Sequence, residues 1–243
     1  MGLDIYVVGM GPGDKDHMTY QAVQAIEASD VIVGYTLYVD MMKNIYPDKE
    51  YIQTGMKQET DRCLKCIDLA RSGRRVALIC SGDAGVYGMA SPLLELLDSD
   101  DDIEVRVIPG ITAANSGAAI LGAPLAHDYC VISLSDLLTP WDVIERRLKA
   151  AIEADYVIAI YNPASHGRPD HLRRAVDIML SAGASGTRAC GYVRNIGREG
   201  EEAAVCTLND LKEIPADMFT TVYIGNSKTV IQDGRLITGR GYR

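Results

Sequence analysis

Three short stretches carry residue types that bring main chain against a ligand. The first is Gly9-Met10-Gly11-Pro12-Gly13-Asp14, directly after the apolar run Leu3–Val8. Glycines at a strand end let backbone N–H groups approach a phosphate or a nucleoside. A dinucleotide fold also wants its third glycine to open a helix and an acid to close the second strand. Here Pro12 interrupts the loop, and the second strand ends in Gly34-Tyr35-Thr36 with no acid. The nicotinamide and flavin readings lose ground accordingly. A ligand loop and a plain tight turn stay evenly matched.

The second stretch is Ser81-Gly82-Asp83-Ala84-Gly85-Val86-Tyr87-Gly88, after the apolar run Arg75–Cys80. An acid between glycines at a strand end suits a ribose diol or a ligand ammonium. Asp83 could equally cap the next helix. The third is Pro109-Gly110-Ile111-Thr112-Ala113-Ala114-Asn115-Ser116, where Thr112 could cap a helix. Ala113, Ala114, Gly117, Ala118 and Ala119 form a nearly side-chain-free surface, fit for a flat ring or for another helix. For the alanine surface, the residues alone favour packing against another helix, whereas the first two glycine-rich strand ends, converging on one crevice, favour a ligand.

In the second half, Tyr161-Asn162-Pro163, Arg194-Asn195-Ile196-Gly197-Arg198 and Ile224-Gly225-Asn226-Ser227 each end a strand. Arg168, Arg194, Arg198 and Arg240 could gather and match carboxylates with their forked donors. Taken singly, each arginine reads as a solvated surface group. Cys63-x-x-Cys66 looks like a metal or redox pair, but Cys63, Cys66, Ile67 and Ala70 share a helical face and no second pair exists for zinc. The histidines at 17, 127, 166 and 171 show no ligand spacing, so no metal is expected.

The elements that must position these residues are legible. Strands are expected at Leu3–Val8, Val31–Val33, Arg75–Cys80 and Ile103–Ile108. Helices are expected at Thr19–Ala28, Gln58–Ser72 with Gly73 as stop, and Val86–Leu97. The alternation predicts a mostly parallel sheet covered by helices. It restarts with strand Tyr129–Leu134, a helix opening at Thr139-Pro140-Trp141-Asp142 (Thr as cap, Pro first), strand Asp155–Tyr161 and helix His171–Ala182. Strands at Thr187–Val193, Glu202–Cys206 and Phe219–Ile224 follow, with a hairpin at Gln232–Thr238 turning at Asp233-Gly234. The fold class is therefore α/β, in two α/β domains with a cleft between them. Pro124 sets the boundary, giving domains 1–123 and 124–243.

Composition narrows the class. The 243 residues are 47% hydrophobic and 23% charged, a globular balance. The net charge of −9 disfavours a nucleic-acid partner. Six scattered cysteines fit a reduced, cytoplasmic protein. The N-terminus lacks the basic start of a signal peptide. The uncharged run Val107–Ala126 contains Pro109, Gly110, Gly117, Gly122 and Pro124, and reads as a buried turn and helix rather than a membrane span.

Val8–Asp14, Gly82–Gly88 and Pro109–Ala113 match, in order, the patterns Val-Gly-x-Gly-Pro-Gly-Asp, Gly-Asp-x-x-x-Tyr-Gly and Pro-Gly-x-Thr-Ala. On these motifs the chain resembles the tetrapyrrole (precorrin/corrin) methylase family. Val33–Thr36, Gly55–Glu59, Leu134–Trp141, Tyr161–Pro163, Val193–Asn195, Gly197–Glu201 and Gly225–Ser227 are most similar to its C17-methylating branch. One departure is Ala84, where many relatives carry proline after Gly-Asp.

The resemblance implies a homodimer of two αβα domains, with S-adenosylmethionine as sole cofactor in the cleft. The substrate it implies is a tetrapyrrole, precorrin-3B or cobalt-factor III, methylated at C17 with ring contraction in cobalamin biosynthesis. It places cofactor contacts at Pro12, Gly82, Asp83, Ala84, Val86, Tyr87, Thr112, Ala113, Asn162, Asn195, Gly225 and Asn226. Arg168 and Arg194 would meet substrate carboxylates. His127, Asp14, Ser135 and Asp136 are the candidates for acid or base work. Another precorrin methyltransferase, a nucleotide-binding oxidoreductase and a non-catalytic binding protein stand as alternatives.

Overall fold

The computed structural model describes residues 3–242. In chain order the first elements are β1 (Leu3–Gly9), α1 (Tyr20–Ala28), β2 (Val31–Tyr35), α2 (Thr36–Ile45), β3 (Glu50–Thr54), α3 (Glu59–Arg71), β4 (Val76–Cys80), α4 (Ala90–Leu96) and β5 (Ile103–Ile108). Then come α5 (Ala113–Leu121), β6 (Gly122–Ala123), β7 (Tyr129–Ser133), α6 (Trp141–Glu153), β8 (Val157–Tyr161), α7 (His171–Ser181), β9 (Ala189–Arg194), β10 (Glu202–Thr207), β11 (Thr220–Ile224), β12 (Thr229–Gln232) and β13 (Arg235–Thr238). They form two compact units, 1–113 and 114–243.

The first unit is a five-stranded sheet in the order β3-β2-β4-β1-β5, with every pair parallel. Side chains alternate between its two faces because a strand has period two. Ile5, Val7, Val31, Val33, Val76 and Leu78 pack under α3 and α4, against Cys63, Cys66, Ile67, Ala70 and Leu93. Val8, Ile32, Ala77 and Ile79 pack under α1 and α2, against Ala22, Ile26, Val39 and Met42. Strands buried on both faces read as continuous apolar runs, which is why these were visible in the sequence. Thr19 caps α1 by accepting the Ala22 N–H at 3.1 Å. Gly73, at φ 89°, follows the end of α3.

The second unit has a five-stranded sheet in the order β10-β9-β11-β8-β7. Only β7 and β8 run parallel; β8–β11, β11–β9 and β9–β10 are antiparallel. One face packs Ile132, Ile158, Ile160 and Val222 against Ile144 and Leu148 of α6 and Leu172 and Val176 of α7. On the other, α5 lies so close to β11 that a methyl group at Gly117 would overlap the Tyr223 hydroxyl. A small sheet, β12-β13-β6, completes the unit. Its hairpin turns at Asp233 and Gly234, both with positive φ (50° and 72°), the expected two-residue turn.

Four expectations change. The compact units divide between Ala113 and Ala114, at the first residue of α5, rather than after residue 123, because α5 packs on β11 and β6 pairs with β13. α4 starts at Ala90, not Val86: Tyr87 has φ 53°, and Gly88 abuts the Ala84 carbonyl, so 86–89 cannot be helical. Pro140 takes the cap position of α6, one residue later than expected, and Thr139 lies outside. α2 and the half-exposed strand β3 were not foreseen.

Candidate functional site

In the first unit β4, β1 and β5 are neighbours and parallel, so the three glycine-rich stretches emerge side by side at one sheet edge. They are knitted together by main chain. Gly11 N–H donates to the Gly82 carbonyl at 3.0 Å, and Gly82 N–H donates back to Gly11 at 2.8 Å. Gly11 and Gly82 have φ of 73° and 70°, where a side chain would be strained. A methyl at Gly110 would overlap the carbonyl oxygens of Gly82 and Gly9. Glycine is needed here for close approach, which the sequence alone could not separate from turn geometry.

Asp83 holds the centre of this knot. Its Oδ1 accepts the Gly85 N–H at 2.8 Å and its Oδ2 accepts the Gly110 N–H at 3.0 Å. It does not cap α4, which begins seven residues on. Each carboxylate oxygen has a second lone pair, so Asp83 keeps acceptor capacity for hydroxyl or ammonium donors. Ala84 is fully buried, whereas Tyr87 is exposed at the loop's surface. Pro12 lies between the bridging Gly11 and Gly13, and Thr112 and Ala113 lie where the third stretch enters α5. Glycine and alanine backbone thus surrounds Asp83 at this edge, beside Pro12, Tyr87 and Thr112.

In the second unit Ser133, Tyr161 and Arg194 end β7, β8 and β9 at one sheet edge. Asn162, at φ 51°, donates from Nδ2 to the Ser133 Oγ at 3.0 Å. Asn195, at φ 52°, donates its N–H to the Phe219 carbonyl at 3.1 Å. Arg168 donates from Nη1 to Ser135 Oγ at 2.6 Å and lies 3.5 Å from Asp136 Oδ1. The buried ring of His171 places Nε2 3.0 Å from Asp136 Oδ2. That ring holds the Asp136 carboxyl below the usual carboxylate range, against the opposing effect of desolvation. Trp141 meets His171 edge-on at 4.7 Å.

The family model for tetrapyrrole (corrin/porphyrin) methylases matches residues 4–212, the span that contains all three glycine stretches. The chain belongs to the tetrapyrrole methylases. It is 51% identical over 237 residues to a probable cobalt-factor III C(17)-methyltransferase of Salmonella typhimurium, covering 97% of this chain and 98% of that protein. It is 39% identical to a precorrin-3B C(17)-methyltransferase of a Sinorhizobium species, over 95% of this chain and 92% of that one. Among solved structures it is similar to the methyltransferase CobJ, with a TM-score of 0.90 and 36% identity over 97% of this chain and 99% of the other.

Within this methylase the other expected residues fall as follows. Asp14 is exposed and caps the short 3-10 helix Lys15–His17. Its Oδ1 accepts the Asp16 N–H at 3.1 Å and lies 2.7 Å from His17 Nδ1. The His17 contact holds the Asp14 carboxyl below its ordinary range. His127 is also exposed, and its Nδ1 takes the Asp128 N–H at 3.0 Å. Ser135 and Asp136 are gathered with Arg168 and His171. Arg194 pairs with Asp217 at 2.8 Å.

Gly225 and Asn226 are a correction. β11 runs antiparallel to β8 and β9, so its C-terminal end lies at the sheet edge opposite Asn162 and Asn195. Asn226 is buried, with its Oδ1 accepting from Lys228 N at 3.0 Å and Thr229 Oγ1 at 3.2 Å. Gly225 is glycine because Thr229 and the Ala189 carbonyl leave no room for a Cβ. The start of β11, around Asp217 and Phe219, occupies the edge they were expected to share. Strand direction was the missing signal. His171 was missed as well, since its partner Asp136 lies 35 positions away in sequence.

The cysteines behave as apolar core. All six are unpaired, and burial pushes the Cys63 thiol up to about 11. Among the described residues no group of histidine, cysteine or acidic side chains could hold a metal ion. No helix of the described residues is long and apolar enough to cross a membrane.

Proposed function

We propose that this methylase transfers a methyl group from S-adenosylmethionine to C17 of cobalt-factor III or precorrin-3B, with contraction of the macrocycle, in cobalamin biosynthesis. The observation that carries the reading is 51% identity, over nearly the full length of both chains, to the Salmonella protein named for the cobalt-factor III reaction. The same match favours the cobalt-loaded substrate over the metal-free one.

The three stretches of the first unit would hold the cofactor: Pro12, Gly82 to Ala84, Val86, Tyr87, Thr112 and Ala113. Their fit rests on the Asp83 carboxylate, with acceptor capacity left on each oxygen, set in a surface of glycine and alanine backbone. Bound adenosylmethionine supplies a methyl already activated on a sulfonium. The chain's task is then to orient and to exclude water. The hydrogen bonds between Gly11 and Gly82 and the close approach of Gly110 to both neighbouring loops support this reading. Asn162 and Asn195 are proposed as further cofactor contacts. Arg168 and Arg194 are proposed for substrate carboxylates. For ring contraction, Asp136 is the favoured acid–base candidate, because His171 and Arg168 both bear on its carboxyl. The working protein is proposed to be a cytoplasmic homodimer.

Anaerobic incubation with S-adenosylmethionine and either tetrapyrrole, read by mass and absorbance, tests the reading. The expected product carries one added methyl and a contracted ring. S-adenosylhomocysteine, and not NAD, should raise the melting temperature by mass action. Absence of both effects would leave the reaction unsupported.

A further inference from the structure

The turn Gly55-Met56-Lys57-Gln58 links β3 to α3, at the same sheet edge as the three glycine stretches but beyond them. Strands lie about 5 Å apart, so the end of β3 is about 10 Å along the edge from the end of β4 and its Asp83 loop. Lys57 sits at φ 63°. For a residue with a Cβ this left-handed conformation is unfavourable, and it persists only where the surroundings impose it.

The surroundings do impose it. Gln58 Oε1 accepts the Gly55 N–H at 2.6 Å. Arg62, on the first turns of α3, donates from Nη2 to the Gly55 carbonyl at 3.0 Å and from Nε to Thr54 Oγ1 at 2.7 Å. Its Nη1 reaches Met89 Sδ at 3.6 Å, at the end of the Asp83 loop. Arg62 is only 4% exposed, and among the described residues no carboxylate lies within ion-pair distance of it. A buried guanidinium held by neutral acceptors alone is uncommon, and it leaves positive charge beneath the turn of a chain whose net charge is −9. Lys57 is exposed and has no ion pair among the described residues. Glu59 and Asp61 are in the first turn of α3, where they suit the helix dipole.

We infer that the Gly55–Gln58 turn is a carboxylate-binding site for the acidic side chains of the tetrapyrrole. Lys57 makes the contact and Arg62 is the positioning residue that holds the turn. The inference rests on the proposed tetrapyrrole substrate and adds to it the site that grips one edge of that substrate.

Lys57→Ala, Lys57→Arg and Lys57→Gly test it in the full chain. The Lys57→Ala and Lys57→Gly variants should raise the KM for the tetrapyrrole about tenfold, with kcat and the Kd for S-adenosylhomocysteine within twofold of wild type. Lys57→Arg should recover most of the loss. Uroporphyrin, a polycarboxylate probe read by fluorescence quenching, should bind Lys57→Ala at least fivefold more weakly than wild type, and the difference should shrink in high salt. An unchanged KM and an unchanged uroporphyrin Kd would overturn the inference. So would an equal loss of S-adenosylhomocysteine binding, which would give the turn to the cofactor. Failure of the wild type to methylate either tetrapyrrole would strike the proposed function instead, and the uroporphyrin comparison would still judge the turn.

Discussion

The N–H of Gly110 donates to Oδ2 of Asp83 at 3.0 Å, across 27 positions of sequence. One bond therefore ties the loop after β5 to the loop after β4, and the other oxygen of the same carboxylate closes its own turn on Gly85. The acid quoted for ligand binding is thus also the clasp that sets the shape of the edge.

Asp83→Ala should accordingly affect both stability and binding. Two backbone donors lose a charged acceptor, and the fold should lose about 1–3 kcal/mol by denaturant titration. Calorimetry should show S-adenosylhomocysteine binding weakened more than tenfold. Asp83→Asn keeps one acceptor oxygen and should fall between. Wild-type affinity in the alanine variant would remove Asp83 from the cofactor site.

Gly110→Ala should be worse than its one added carbon suggests. The new methyl would overlap two backbone carbonyls, and backbone cannot rotate away as a side chain can. We expect a loss of about 1–3 kcal/mol or more, with cofactor affinity falling too. Gly73→Ala is the control: nothing lies within 4 Å of its Cβ, but φ is 89°. It should cost about 1 kcal/mol from backbone strain alone and leave binding intact.

The Asp136–His171 contact predicts a pH dependence whose sign is determined. The folded carboxyl lies below its ordinary range, chiefly through the His171 ring. Its stabilisation is complete above the unfolded value, about 3.9, and is lost as the pH falls through the folded value. Asp136→Asn should lower the melting temperature at pH 7 by about 2–4 °C, as expected for roughly 1 kcal/mol in a chain this size. Below pH 4 the gap to wild type should close. Parallel melting curves from pH 7 to pH 2.5 would refute the assignment.

Cys63 and Cys66 should be inert. With its pKa near 11, Cys63 is ionised in about one molecule in a thousand at pH 8, and it is fully buried. Native protein treated with iodoacetamide should show Cys63 and Cys66 unmodified by mass spectrometry until it unfolds. A chelator should leave the melting temperature unchanged.

Much of this was present in the order of residues. The buried parallel strands announce themselves as Ile5–Val8, Val31–Val33 and Val76–Cys80, because a strand covered on both faces must be apolar throughout. The glycine stretches and the Asp233-Gly234 turn depend on backbone conformation within a few residues, so local sequence suffices to locate them. β3 escaped notice because it is a half-exposed edge strand, without that continuous apolar signature. α2 opens at Thr36 directly after β2, with no side-chain cap to mark its start.

What neighbouring residues could not determine is direction and partnership. Nothing near Gly225 and Asn226 tells that β11 runs against β8 and β9, and that choice alone carries both residues to the far edge of their sheet. Nor does the composition of Ala113–Leu121 tell which unit α5 joins; the close packing of Gly117 on Tyr223 decides it. Local sequence sets φ, ψ and the apolar period. Pairing direction and helix allegiance come from burying those surfaces together, a property of residues a hundred positions apart, and only the folded chain holds it.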